Sequence, residues 1–172
     1  SSEIESSKFE SIQYELNKLD GEITIGYIGS LRELEGVDMT ADAISELVKK
    51  GHNVKFFCLT GSNGQDELRQ RSINIGLQDR SLITGPVPHL EVKQYYGLID
   101  IFVVSRPDYP VTRTVTPLKP FEAMAQSLPV VVTNLPALTE IVEDSVTGIV
   151  TENNDLSSLV NSIESVSYTH LR

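Results

Sequence analysis

The sequence has no tryptophan, one cysteine and three histidines, and its basic residues are outnumbered 24 to 14 by acidic ones. Each shortage closes off a class of function. The formal net charge of −10 argues against a nucleic-acid partner, because phosphate backbones are met by a basic face. It leaves room for a phosphorylated small ligand, which needs only a local positive site. With Cys58 alone, no internal disulfide can form, which suits a reducing, cytoplasmic compartment. Cys58 sits in a strand-like run and reads as a small buried hydrophobe. His52 reads as an exposed turn residue, His89 as a capping or polar-lining residue after Pro88, and His170 as part of the tail. So scattered, they build no Ser–His–Asp triad and no metal-ligand spacing, and no metal is expected. There is no G-x-G-x-x-G, no P-loop and no G-x-S-x-G, which weakens dehydrogenase, kinase and hydrolase readings. Apolar runs reach about eight residues, too short to span a bilayer, and no signal-like leader opens the chain.

What is present is alternation. The length of 172 residues allows one domain with a sizeable core. Residues 1–20 begin polar, and then Phe9, Ile12, Leu16 and Leu19 recur at helical spacing. This is a linker, or a helix from an interdomain region, ahead of a domain over 21–166. Strands are predicted at 23–29, 54–60, 81–84, 98–105, 130–133 and 148–150. Helices are predicted at 39–50, 65–75, 89–96, 120–127, 137–143 and 156–165. The run 54–60 is apolar throughout, the pattern of a strand buried on both faces. Gly51 closes the helix before it, and Asp155 caps the last helix. The longest irregular stretch is 106–115, and long loops in compact α/β domains are usually functional. Residues 167–172 read as a truncated or unrelated tail. The alternation predicts an α/β fold, a doubly wound parallel sheet. Ligands then sit beyond the carboxyl ends of the strands, at Gly29-Ser30, Gly61-Ser62, Gly85-Pro86, Ser105-Arg106 and Thr133-Asn134.

The stretch Thr116-Pro117-Leu118-Lys119-Pro120-Phe121-Glu122-Ala123-Met124-Ala125 lies beside those ends. Its helix starts either with Thr116 as cap and Pro117 at the first position, or at Pro120 with Lys119 as cap. Either start leaves backbone N–H groups free for a phosphate oxygen. Lys119 adds a positive charge, or is simply solvated. Glu122 can accept two hydrogen bonds from a vicinal diol such as ribose, or only stabilise its helix's first turn. Arg106 can meet a diphosphate through its fork, or pair with Asp100 or Asp108. Arg113 reads as a surface residue.

At these residues the chain resembles the C-terminal, donor-binding domain of a GT-B glycosyltransferase of family 4, the glycosyl transferases group 1 type. The resemblance spans about 22–165. It rests on Ile25-Gly26-Tyr27-Ile28-Gly29-Ser30-Leu31 with Glu35-Gly36-Val37-Asp38, on Gly85-Pro86-Val87-Pro88-His89, and on Tyr95-Tyr96-Gly97 leading into residues 98–104. Most specific is the stretch 116–125 followed by Leu128-Pro129-Val130-Val131-Val132-Thr133, with residues 138–148 closing the pattern. The resemblance implies the second of two Rossmann-like halves. Such a half binds a nucleoside diphosphate sugar, whose sugar is transferred with retention, as in polysaccharide biosynthesis. No cofactor or metal is implied. The acceptor would bind to an N-terminal domain absent here, and membrane contact, peripheral at most, would come only through that half. The fragment alone is expected to transfer no sugar.

The family's paired glutamates stand eight positions apart. The second falls on Glu122, implied to hold the ribose, and the first falls on Thr114. Backbone near Thr116, Leu118 and Lys119 is implied to hold phosphate or sugar, with Gly29 and Ser30 beside it. Backbone at Gly85, Pro86 and Val87 is implied to meet the nucleobase. Many members carry arginine and lysine where this chain has Ser30 and Glu35, with Arg32 near but out of register, so the positive charge would come from Lys119, Arg106 or Arg113. The alternative is a Rossmann-like module with a decayed nucleotide site, acting in protein association. An epimerase-type half lacks an acid–base set, and a receiver domain lacks the acidic pair after the first strand.

Overall fold

The computed structural model describes residues 2–170, with side chains described for 7–167. Six strands among these residues form one sheet: β1 (Ile23–Ile28), β2 (Val54–Leu59), β3 (Ser81–Thr84), β4 (Ile101–Val104), β5 (Val130–Thr133) and β6 (Ile149–Thr151). The order is β3-β2-β1-β4-β5-β6, and every pairing is parallel. The chain winds from β1 outward to β3, crosses back to β4, and winds outward again to β6. This is the doubly wound, Rossmann-like sheet expected from the alternation. Its switch point lies between β1 and β4, and there the connections diverge and leave a crevice.

Helices cover both faces, so β2, β4 and β5 are buried along their whole length. Cys58 is fully buried within β2. On one side α2 (Val37–Lys49) packs against α8 (Leu156–His170). The helix expected in 1–20 is α1 (Ser2–Lys18), which turns Ile12 and Leu16 into the core. Phe9 meets Tyr95 edge-on at 5.2 Å. Lys55 of β2 is 6% exposed, and its Nζ donates to the Leu16 carbonyl at 2.9 Å. That contact places a cation at the carbonyl end of α1, where the dipole favours it. Gly51 follows α2 at φ +89. The Gly51 and His52 N–H groups bond back to Val48 and Leu47, which is a Schellman closure. Asp155 accepts from the Ser158 N–H at 3.0 Å and caps α8 as expected.

Several predicted extents are corrected. β4 begins at Ile101, because residues 96–98 coil into a 3-10 turn and Asp100 turns its carboxylate onto the Thr24 N–H at 2.7 Å. Residues 89–96 break into a 3-10 turn (His89–Glu91), α4 (Val92–Tyr95) and the start of that second turn. After α3 (Gln65–Asn74), the next surprise is α5 (Pro110–Thr114), inside the stretch 106–115 expected to be irregular. Pro110 opens it with a ready-made φ, and Thr112 Oγ1 accepts from the Tyr109 N–H at 2.9 Å. α7 (Pro136–Thr139) stops short of residue 143. α8 runs on to His170, so the backbone does not break at 166. The side chain of His170, and Leu171 and Arg172 of the expected tail, lie outside the described residues.

His52 is also less exposed than expected. Its Nε2 lies 2.7 Å from Glu164 Oε2, while Lys50 Nζ donates to Glu164 Oε1 at 2.5 Å. These contacts tie the end of α2 to α8. The Lys50 bond first, and then His52, hold the Glu164 carboxyl below its ordinary value. A depressed folded-state pKa stabilises fully above the unfolded value and is lost as pH falls through the folded one. Thermal melts between about pH 6 and about pH 3 should therefore show a steeper decline for the natural chain than for Glu164→Gln. Parallel declines would show that the tie carries no stability.

Candidate functional site

Four segments converge at the switch point: those leaving β1, β2, β3 and β4. The site is built up from Glu122, in the first turn of α6 (Lys119–Ala125). Pro120 takes the second helical position, where no N–H is needed. Leu118 is the cap residue, and the Glu122 N–H bonds back to its carbonyl at 3.2 Å. Neither Thr116 nor Lys119 caps this helix. Thr116 stands exposed in the loop ahead of it, and Lys119 is its first residue.

Tyr96 is 1% exposed, and its hydroxyl donates to Glu122 Oε2 at 2.6 Å. Lys119 Nζ lies 3.4 Å from the same oxygen. Both bonds fall on Oε2 among the described residues, which leaves Oε1 to accept from a ligand. Burial first, and then the Glu122 hydrogen bond, push the Tyr96 phenol well above its usual range. It therefore stays protonated and remains a donor. Its ring lies 5.6 Å from Phe102 of β4, so the strand core sets the direction of Glu122.

His89, Val92, Lys93, Tyr96, Lys119 and Glu122 line a groove of about 330 Å³. Gly29, Thr60, Gly61, Pro86, Val87 and Lys119 line an adjoining crevice of about 150 Å³. Val92 and Lys119 border both hollows, which sets them side by side. Of the predicted residues, this cleft brings together Gly29, Pro86, Val87, Lys119 and Glu122. Gly85 lies against it at φ +118, and a Cβ there would stand 2.1 Å from the Thr60 carbonyl oxygen. Gln65 Nε2 ties the two strand ends by donating to the carbonyls of Gly61 at 2.9 Å and Gly85 at 3.1 Å. Lys8 of α1 donates to the Pro86 carbonyl at 2.7 Å. Ser30 is exposed, its carbonyl accepting from the Tyr27 hydroxyl at 2.8 Å and its Oγ from Arg32 Nε at 3.3 Å. Leu118 is 68% exposed.

Arg106 is a correction. It is 5% exposed, and its fork is taken by Glu35 at 3.0 and 3.1 Å. Its Nη1 donates to the Val115 carbonyl at 3.1 Å. It is not available to a diphosphate in this arrangement. Its ion-pair partner is also not one of the two near in sequence, since Asp100 holds Thr24 and Asp108 holds Arg113 at the surface. Thr114 stands exposed at the end of α5, its hydroxyl directed back to Val111. A hollow of about 530 Å³ lies elsewhere and is lined by Glu33, Asp38, Asp42 and Glu67 together with Arg32 and Arg71, and Arg71 is committed to Asp42. Its carboxylates outnumber its arginines and repel phosphate, which disfavours that hollow as a diphosphate site.

Among the described residues, no group of three His, Cys, Asp or Glu side chains could hold a metal ion. Among the same residues no helix is long and apolar enough to cross a membrane. The family model described as glycosyl transferases group 1 matches residues 22–167. A lipopolysaccharide core biosynthesis mannosyltransferase, LpsB, of Rhizobium meliloti is 28% identical over 80% of this chain and 39% of its own length. A capsular polysaccharide biosynthesis glycosyltransferase, CapM, of Staphylococcus aureus is 23% identical over 91% of this chain and 42% of its own. The chain thus spans about two fifths of these relatives. Among solved structures, the C-terminal domain of a glycosyl transferase group 1 family protein, LpcC, of Francisella tularensis superposes with a TM-score of 0.72 at 22% identity. That match covers 91% of this chain and 80% of that one. Anabaena HepE, solved with UDP and glucose, gives 0.76 at 20% identity, covering 96% and 44%. At such identities these two show the fold alone.

Proposed function

The chain belongs to the glycosyl transferases group 1 family, and from that premise we propose that it is the donor-binding half of a retaining glycosyltransferase. It binds a nucleoside diphosphate sugar, whose sugar passes to an acceptor held by the rest of the enzyme. The observation that carries this reading is the Glu122 carboxylate, held on one oxygen by buried Tyr96 and lining a groove beside Lys119. A carboxylate with one oxygen to spare accepts from a ribose diol by charge-assisted bonds. Lys119 is the cation at the place where a diphosphate would gather negative charge during transfer. The loop through Thr116 and Leu118, and Gly29 with Ser30, supply backbone and hydroxyl donors. The segment 85–87 offers backbone to the base. Coverage of about two fifths of its relatives is consistent with an acceptor domain lying in the remainder.

The competing reading is a decayed site kept for protein association. It is favoured by Glu35 and Arg106, whose charges cancel in a buried pair, and by Thr114. Calorimetric titration with UDP, GDP and ADP decides between them. Binding of one nucleotide, weakened in Lys119→Ala, supports the enzyme half. Binding of none, by a chain that melts cooperatively, supports the module.

Tyr96 supplies a finer test. Removing its hydroxyl in Tyr96→Phe frees Glu122 to rotate away from the ligand. An orienting hydrogen bond of about 0.5–1.5 kcal/mol converts to a loss of about 2- to 10-fold in nucleotide affinity. Unchanged affinity would show that Glu122 is positioned without Tyr96.

A further inference from the structure

We propose that Glu35 and Arg106 are positioning residues: they weld together the two chain segments that carry the donor contacts. The proposal rests on the donor-site reading above. Both side chains are more than nine-tenths buried, at 8% and 7% exposure. Glu35 closes the connection leaving β1, which carries Gly29 and Ser30. Arg106 opens the connection leaving β4, which carries Thr116, Leu118 and Lys119. The two charged groups meet in a two-bond fork at 3.0 and 3.1 Å.

Each partner also grips its own segment. Arg106 Nη1 holds the Val115 carbonyl at 3.1 Å, three residues before Leu118. The Arg106 carbonyl is fixed by Thr133 Oγ1 of β5 at 2.7 Å. On the other side Arg32 links Glu35 to the turn, its Nη2 donating to Glu35 Oε1 at 3.4 Å and its Nε to Ser30 Oγ at 3.3 Å, while the Tyr27 hydroxyl holds the Ser30 carbonyl at 2.8 Å. Next to Glu35 the backbones touch. Ser105 Oγ donates to the Gly36 carbonyl at 2.7 Å, and a Cβ on Gly36, at φ +65, would come 2.1 Å from the Ser105 carbonyl oxygen.

Stability alone is a poor reason for such a pair. Taking two charges out of water costs about as much as their attraction returns, and apolar residues of similar size often serve as well. What an apolar pair cannot do is hold the Val115 carbonyl and the Ser30 turn at a fixed separation. Here the carboxylate turns inward and satisfies a buried arginine, so the pair aligns the cleft without entering it.

The test compares the natural chain with Glu35→Met/Arg106→Met and with Arg106→Lys, which keeps the charge but loses the fork. Hydrogen exchange is followed by peptide mass in residues 107–118 and in β1, β4 and β5. Affinity is measured for whichever of UDP, GDP and ADP the natural chain binds best. The expected result is exchange at least about tenfold faster in 107–118, with the strands unchanged, a melting temperature close to natural for the double variant, and at least about tenfold weaker nucleotide binding. Unchanged exchange in 107–118 overturns the proposal even if the natural chain binds no nucleotide. Faster exchange with unchanged affinity overturns it too, because the loop would then be held but not needed in place. Should the double variant fail to fold, Arg106→Lys gives the same decision from the same two readings. Absence of nucleotide binding by the natural chain counts against the donor-site reading instead, while the exchange data still judge the weld.

Discussion

Replacing Glu122 with alanine is expected to weaken nucleoside diphosphate binding by about 10- to 150-fold, the equivalent of one hydrogen bond to a charged acceptor at about 1.5–3 kcal/mol. The same change should cost some stability, and for a separate reason. Tyr96 is 1% exposed and its hydroxyl donates to Glu122. Removing the carboxylate leaves a buried donor without its acceptor, a penalty of about 1–3 kcal/mol. At about 2–4 °C per kcal/mol for a chain of this size, melting should fall by about 2–12 °C. The double variant Glu122→Ala/Tyr96→Phe removes donor and acceptor together. It should recover most of the lost melting temperature and none of the lost affinity. That split separates the two roles of one carboxylate, which a single variant cannot do. A Glu122→Ala chain that binds as tightly as the natural one would remove Glu122 from the site.

The difference between what could and could not be read in the residues is one of range. The apolar run of β2, the closure at Gly51 and the cap at Asp155 are local, and each is set by residues within a turn or two. The strand ends that border the cleft follow from the alternation, because a doubly wound sheet has only one end where ligands gather. The pairings that organise that end are not local. Glu35 and Arg106 are 71 positions apart, and Tyr96 and Glu122 are 26 apart. Near Arg106 the obvious partners are Asp100 and Asp108, but one is committed to β1 and the other to Arg113. In sequence Glu35 reads as a missing cation. In the fold it is the anion that a buried arginine requires. The helix α5 escapes notice because Pro107 and Pro110 look like loop punctuation, although proline at a first helical position favours a start. Of Tyr95 and Tyr96, no spacing rule says which hydroxyl reaches a carboxylate on another helix.

Arg106→Ala is expected to be among the most destabilising single changes in the chain. It leaves the Glu35 carboxylate buried with its main partner gone, and breaking one side of a buried pair costs about 3–5 kcal/mol. For a chain of this length that lowers the melting temperature by about 6–20 °C. The Val115 carbonyl also loses its donor, so the loop into α6 should loosen before the sheet does. The control lies seven residues away. Arg113 pairs with Asp108 at 2.5 Å, but its side chain is 57% exposed. Water and salt screen such a pair, and holding two long side chains still offsets much of the attraction. Arg113→Ala should therefore leave the melting temperature within the scatter of the measurement. Thermal melts of the two variants thus compare one chemistry in two surroundings. If both fall alike, burial is not what gives the Glu35–Arg106 pair its weight. If neither falls, the pair is replaceable packing, and the alignment of the cleft must come from the backbone contact between Gly36 and Ser105.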